Sequence, residues 1–77
     1  PNPVKDHFNL SFECNKAVNA DVMIFDINGK LLINHNIETV VGKNLVDLNI
    51  GNLLNGMYLC SLRYQGNAIN LKFNINR

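Results

Sequence analysis

The sequence predicts an all-β fold, a small antiparallel, Ig-like β-sandwich of six to seven strands, with a small barrel as the alternative. Apolar and polar residues alternate over several short stretches, which is the period of strands buried on one face. Turn-forming residues recur roughly every ten residues, and no stretch keeps a helical period. The 77 residues are enough for one domain, so we expect two sheets around a single core.

The first predicted strand runs from Val4 to Cys14. The chain begins extended, because each proline of Pro1-Asn2-Pro3 fixes its own φ and disfavours helix in the residue before it. A polar turn over Asn15–Asn19 follows, and the apolar, β-branched segment Ala20–Ile27 is the second predicted strand. Alternation in the first strand places four residues on the inward face: Phe8, Leu10, Phe12 and Cys14.

The dipeptide Asn28-Gly29 is typical of a two-residue type I′ hairpin turn, which needs positive φ at both central positions. It predicts these pairs between the second and third strands: Ile27 with Lys30, Phe25 with Leu32, Ile24 with Ile33 and Val22 with His35. In that register one apolar face carries Val22, Ile24, Leu31, Ile33 and Ile37. Asp26 lies beside the turn, where we expect its side chain to accept hydrogen bonds from turn amides rather than to act in catalysis.

The middle of the chain is predicted to contain a loop, a strand and a break. The loop covers Thr39–Lys43 and includes Gly42. The strand covers Asn44–Ile50 and alternates. Its inward residues are Val46, Leu48 and Ile50. Gly51-Asn52 ends this strand, and we expect Leu53 to fill the end of the sandwich.

The last two predicted strands form a hairpin. Gly56 supplies the backbone freedom that the turn before Met57 needs, and Gly66-Asn67 predicts a type II′ turn with glycine first. The inward residues of the penultimate strand are Tyr58, Cys60, Leu62 and Tyr64. Their predicted partners are, in the same order, Ile75, Phe73, Leu71 and Ile69. The solvated face of the last strand then carries Asn70, Lys72, Asn74 and Asn76.

Composition argues against several classes of partner. Net charge is +1 and the acidic and basic residues are interleaved, so neither nucleic acid nor an anionic membrane surface is expected. The sequence shows no charged-then-apolar leader and no apolar run of about 18 residues or more. Because the chain begins with Pro1 rather than Met, we interpret it as a piece cut from a longer protein.

No group of residues indicates catalysis. His7 and His35 lie on separate predicted strands without a carboxylate or cysteine at metal-ligand spacing. The chain offers no nucleophile elbow, no glycine-rich phosphate loop and no carboxylate pair that burial would activate. We therefore expect no enzyme activity, metal, cofactor or small-molecule substrate. Cys14 and Cys60 fall on inward faces, either as free thiols in the core or, in an exported protein, as a disulfide.

Four short features follow one another in a fixed order along the chain. They are Pro1-Asn2-Pro3 opening a strand, Asp26-Ile27-Asn28-Gly29-Lys30 in the first hairpin, Leu53-x-x-Gly56-x-Tyr58 before the penultimate strand, and a last strand that carries Lys72 and ends at Arg77. Their order and spacing resemble the C-terminal sorting domain of the bacterial type IX (Por) secretion system. The resemblance spans the whole chain.

The resemblance implies that residues 1–77 are a single C-terminal sorting domain of a secreted protein. An N-terminal passenger would reach the periplasm by its own signal, and the domain would direct it across the outer membrane to the cell surface or the medium. Families of this kind belong to Bacteroidetes-type bacteria, where an outer-membrane shuttle barrel receives the domain and a sortase-like protease usually removes it. The cleavage position would lie upstream of Pro1.

The resemblance also implies roles for individual residues. Recognition by the translocon falls to Lys72 and Arg77, on the exposed face or end of a strand, and to Lys30. Many members carry two adjacent basic residues near the end, whereas Asn70-Leu71 precedes Lys72 here. The family-pattern residues expected to maintain the fold are Pro1, Asn2, Pro3, Gly29, Gly56 and Tyr58.

Two other functions fit a small β-sandwich. One is surface adhesion or carbohydrate binding, and the other is a structural Ig-like accessory domain of an enzyme. Sugar platforms stack on exposed aromatic rings, and this chain has no Trp. Its Tyr residues and most of its Phe residues are predicted inward, which leaves Phe25 as the exposed aromatic.

Overall fold

A computed structural model describes residues 6–77, and over that range the chain forms six strands in two antiparallel sheets without a helix. The strands are β1 His7–Cys14, β2 Asn19–Phe25, β3 Leu31–Glu38, β4 Gly42–Asn49, β5 Gly56–Tyr64 and β6 Asn67–Ile75. The predicted all-β sandwich is confirmed. The predictions for Pro1, Asn2, Pro3 and the strand start at Val4 lie outside the described residues.

The sheets differ in width. β1 pairs with β4 in a two-stranded sheet, and the other sheet has the order β3-β2-β5-β6. Apolar side chains from both sheets meet between them, and the buried ones are Phe8, Ala20, Val22, Ile24, Val46, Leu48, Ile50, Cys60, Leu62, Phe73 and Ile75. Phe8 stacks on Phe73 with ring centroids 4.2 Å apart, which joins the narrow sheet to the wide one. Burying each large apolar side chain stabilises the fold by about 1.5–3 kcal/mol relative to exposure.

The β2–β3 hairpin confirms part of its predicted register. Val22 pairs with His35 and Ile24 with Ile33, as the alternation indicates. A β-bulge after Ile24 then makes Phe25 pair with Leu31 rather than Leu32. Because paired residues share a face, Leu31 lies with Phe25 on the outer face, and the prediction that it joins the core face is wrong.

The turn of this hairpin explains the bulge. The Gly29 amide donates to the Asp26 carbonyl at 3.0 Å, and the Asp26 amide donates to the Lys30 carbonyl at 3.0 Å. Gly29 has φ +84°, whereas Asn28 does not have positive φ, so the loop is a type I turn followed by a left-handed glycine rather than type I′. Asp26 Oδ1 accepts from the amides of Asn28 and Lys30, each at 2.9 Å. The predicted turn-bonding role of Asp26 is confirmed, and these bonds favour the longer loop.

The β5–β6 hairpin keeps its predicted faces but not its predicted register. The turn residues are Gln65 and Gly66, both with positive φ, which is the type I′ pattern rather than II′. The observed pairs are Tyr64 with Asn67, Leu62 with Ile69, Cys60 with Leu71, and Tyr58 with Phe73. The ladder is therefore shifted by two residues, and the predicted pairs of Leu62 with Leu71 and Cys60 with Phe73 are wrong. A shift of two leaves each side chain on its predicted face.

The remaining predictions concern β4 and the cysteines. β4 begins at Gly42, inside the predicted loop, and its inward residues are buried as expected. Cys14 and Cys60 are both free thiols rather than a disulfide; Cys60 lies in the core as expected, whereas Cys14 is half-buried outside it. Burial raises the pKa of the Cys60 thiol to about 11.

Candidate functional site

The segment from Ile50 to Tyr58 comprises the connection between β4 and β5 and the first residues of β5, and we call it the closing turn because it covers one end of the sandwich. The Ile50 amide donates to the Asp6 carbonyl at 2.8 Å, and the Leu53 amide donates to the Ile50 carbonyl at 3.0 Å. Leu53 packs against the core, so its predicted role at the end of the sandwich is confirmed. Gly56 starts β5 with φ +152°, a conformation that side-chain-bearing residues rarely adopt.

Tyr58 fastens the closing turn to the core. Its hydroxyl donates to the Leu54 carbonyl at 2.6 Å, and its ring stacks near Phe73 with centroids 5.8 Å apart. The ring is half-buried on the inward face of β5, as predicted. Its contacts with Leu54 and Phe73 join the closing turn to the core and so stabilise the fold.

Arg77 is hydrogen-bonded to the closing turn. Its Nη1 donates to the Leu53 carbonyl at 2.6 Å, its Nη2 to the Ile50 carbonyl at 2.8 Å, and its backbone amide to Asn55 Oδ1 at 3.1 Å. Nε lies 3.3 Å from Asp6 Oδ1, and 29% of the side chain remains exposed. The Arg77 guanidinium therefore holds backbone carbonyls that no strand satisfies.

Lys72 lies in a different environment, on the outer face of the wide sheet. One row across that sheet reads Leu31, Phe25, Leu59 and Lys72, from edge to edge. Beside it is a shallow depression of about 360 Å³ lined by Ile27, Met57, Tyr58, Leu59 and Lys72. In the described part of the chain the ion pairs are His7–Asp47 and Arg77–Asp6, so no carboxylate neutralises Lys72.

Lys30 is exposed at the same end of the wide sheet. It follows Gly29 in the first hairpin and directly precedes Leu31, which belongs to the row of Lys72. Lys30 is therefore next to one edge strand, β3, and Lys72 lies on the other, β6. The structure brings these two predicted recognition residues to one end of the sheet, where Arg77 is instead engaged in bonds to the closing turn.

Sequence reasoning missed the apolar part of this outer face. Ile27 and Met57 are 79% and 46% exposed, and Leu59 lies between Phe25 and Lys72 in the row. The available signal was that apolar residues occupy both faces of the strands leading into and out of these turns. A solvent-exposed sheet face would carry polar residues at those positions.

Phe25, the aromatic left for a sugar platform, is covered. The Arg63 guanidinium lies 5.3 Å from the centroid of its ring, and Arg63 Nε also donates to Ser61 Oγ at 3.0 Å. A ring with a cation over its face does not offer that face to a sugar. The adhesion or carbohydrate-binding alternative is not favoured.

The described residues contain no group of three or more His, Cys, Asp or Glu that could hold a metal ion. His7 Nδ1 lies 3.2 Å from Asp47 Oδ1, a pair that sequence spacing did not reveal, and both side chains are largely exposed. His35 is on β3, apart from that pair. Nor does this range include a helix of the length and hydropathy needed to span a membrane.

A family model described as the secretion system C-terminal sorting domain matches residues 1–76. The match takes in the hairpin around Gly29, the closing turn and Lys72, and it stops one residue before Arg77. No curated protein and no solved structure gives a significant match.

Proposed function

The chain belongs to the family of secretion system C-terminal sorting domains, and we propose that residues 1–77 form one such domain, cut from a longer secreted protein. The domain is a C-terminal sorting signal for type IX secretion. It interacts with the secretion machinery and with a passenger, which it directs across the outer membrane to the cell surface or the medium. A sorting signal of this kind is not itself catalytic.

The proposal extends to named components of the machinery. An outer-membrane shuttle barrel of a Bacteroidetes-type bacterium receives the folded domain, and a sortase-like protease cleaves upstream of Pro1. The passenger occupies the N-terminal side. The observation that supports this assignment is the family match over almost the whole chain. No cofactor, nucleic acid or small-molecule substrate takes part.

Within the domain, residues that maintain the fold differ from residues that are exposed to a partner. Gly29, Gly56 and Tyr58 maintain the two turns through backbone conformation and the bond to Leu54. Lys72 and Lys30 contact the translocon, because their charged groups are exposed at one end of the sheet. Arg77 supports recognition by keeping the closing turn in place.

The test is transfer of the signal to a foreign cargo. Residues 1–77, with their native upstream linker and a periplasmic export signal, are fused to a fluorescent protein in a bacterium that has a type IX system. We expect fluorescence at the surface or in the medium, and periplasmic retention in an isogenic strain without the system. A fusion truncated from Ile69 is expected to stay in the periplasm, since it loses the partner strand of β5. Retention of the intact fusion in the competent host would contradict the proposed function.

A further inference from the structure

We infer that the free edge of β6 binds an extended segment of the secretion machinery by strand addition, with apolar side chains over Ile69 and Leu71 and a carboxylate beside Lys72. The inference rests on the proposed function and specifies which surface is recognised. It is carried by three features of β6: its backbone, the groove on its inner side and the charge on its outer side.

The backbone of β6 can accept another strand. β6 is at the end of the order β3-β2-β5-β6, so within residues 6–77 no strand pairs with its second side. Tyr64 and Asn67 flank a two-residue turn and form the first hydrogen-bonded pair of the ladder. Bonded and non-bonded pairs alternate in an antiparallel ladder, so every second residue of β6 directs its amide and carbonyl away from β5. Those residues include Ala68, Asn70 and Lys72.

The inner side of this edge is apolar and open. Ile69 and Leu71 point to the core face, yet 53% and 47% of their surface is exposed, because the two-stranded sheet is too narrow to cover them. A groove of about 230 Å³ separates the edges of β1 and β6. Its apolar lining includes Leu10, Phe12, Cys60, Leu62, Ile69 and Leu71. A strand added to β6 would place alternate side chains in this groove.

The outer side selects the charge of the partner. Lys72 directs its backbone to the free edge and, in the described structure, has no carboxylate within ion-pair distance. A residue opposite Lys72 on an added strand would lie within cross-strand contact distance of it, where an opposite charge is favoured and a like charge is disfavoured. The partner segment therefore alternates apolar residues with polar ones and carries Asp or Glu opposite Lys72.

The other edge of the wide sheet is a poorer acceptor. β3 is interrupted by the bulge opposite Ile24, and its exposed residues are mainly polar. Asn36 Nδ2 donates to the Ala20 carbonyl at 3.3 Å and to Asp21 Oδ1 at 3.1 Å, so that side chain is engaged within the sheet. Strand addition is thus expected at β6 and not at β3.

Proline provides a matched test of the two edges. Asn34, Met23, Ser61 and Asn70 form one row, with an asparagine at each end. Alternation directs both asparagine amides away from the sheet, so proline at either position removes no ladder bond but blocks addition of a strand on that side. For the fluorescent fusion we expect Asn70→Pro to lower export about tenfold or more, and Asn34→Pro to leave it within about twofold of wild type. Thermal melts of the isolated 77-residue chain check that both variants fold.

Charge reversal provides a second test that does not depend on how proline is tolerated. Lys72→Glu is expected to lower export about tenfold or more while the melting temperature is retained, and Lys72→Arg is expected to export like wild type. If Lys72→Glu is exported normally, the carboxylate partner is wrong, whatever the proline variants do.

The outcomes separate the inference from the proposed function. Retention of the wild-type fusion refutes the proposed function. Export of wild type together with equal export of folded Asn70→Pro, or equal loss in Asn34→Pro, overturns strand addition at β6. Sedimentation of the 77-residue chain tests whether a second copy of the chain, rather than the secretion machinery, binds the β6 edge. A dimer that Asn70→Pro abolishes would mean that β6 pairs with a second copy, which overturns the assignment to the secretion machinery.

Discussion

The closing turn and the edge of β6 use their side chains in opposite ways. In the closing turn, Tyr58 and Arg77 donate to the backbone carbonyls of Leu54, Leu53 and Ile50. At the β6 edge, the large apolar residues are half exposed and the lysine has no acidic neighbour among residues 6–77. The closing turn is satisfied by contacts within the domain, whereas the β6 edge is left for a partner.

This difference indicates how a sorting signal can be encoded in a fold. Family-pattern residues in the closing turn stabilise the domain, whatever then recognises it. A residue such as Lys72 can be changed without loss of internal contacts, so a functional effect there reports recognition. Substitutions matched between the two regions test this division.

The largest expected effect comes from Phe73, which stacks on Phe8 and Tyr58 in the core beneath the closing turn. Phe73→Ala should lower the free energy of unfolding by about 3–5 kcal/mol, since it empties a buried site in a small core. Urea unfolding of the 77-residue chain measures this. Ile69→Ala, at a half-exposed position of the same strand, is the control and should cost much less. Equal losses would mean that the two ends of β6 are equally packed.

Arg77 and Lys72 give the next comparison. Arg77→Ala should lower the free energy of unfolding by about 2 kcal/mol, because it removes charge-assisted bonds to the carbonyls of Leu53 and Ile50. Lys72→Ala should change it by less than about 0.5 kcal/mol, as exposed substitutions usually do. Thermal melts of the two variants measure these changes in stability. An Arg77→Ala variant as stable as wild type would show that the closing turn does not depend on the guanidinium.

The ionisation of the Cys60 thiol tests whether water reaches the base of the groove beside β6. Because burial raises its pKa from 9.0 to about 11, the unfolded thiol ionises first as pH rises. Its contribution to stability is fully present below pH 9 and is lost as pH rises toward 11, with a loss of about 1–2 kcal/mol by pH 10. Urea unfolding from pH 8 to 10, with Cys60→Ala as the reference, isolates the pH-dependent stability that this thiol contributes. Parallel curves for the two proteins would indicate that water reaches the thiol.

Gly56 should give the smallest effect. At φ +152° the backbone disfavours any side chain, but a Cβ there would meet only a Tyr58 ring atom at 4.0 Å. Gly56→Ala should therefore cost about 1 kcal/mol from backbone strain without a clash. A melting temperature equal to that of wild type would contradict the need for glycine at the start of β5.

Sequence patterns predicted the faces of the strands better than their registers. Alternation assigns each residue to a face, and nearly all the predicted inward residues are buried or half-buried. A register shift of two preserves every face, so alternation cannot distinguish Leu62 opposite Leu71 from Leu62 opposite Ile69. The turn must decide, and Gln65-Gly66 was not recognised because glutamine rarely takes positive φ.

The candidate site was only partly predictable for a similar reason. The exposure of Lys72 on β6 and of Lys30 beside the turn before β3 follows from local pattern. The contacts of Arg77 depend on where the carbonyls of Ile50 and Leu53 point, which is set by the loop conformation and not by spacing. The open groove depends on the two sheets having unequal width, which no single strand reveals.

The central claim is that the closing turn maintains the fold while the β6 edge is recognised. Export of the fluorescent fusion, measured at several growth temperatures for Arg77→Ala and Lys72→Glu, tests it most directly. We expect Arg77→Ala to lose export only at temperatures near its lowered melting point, whereas Lys72→Glu should melt like wild type and lose export at every temperature. The reverse pattern, with Arg77→Ala failing while folded and Lys72→Glu exported normally, would contradict it.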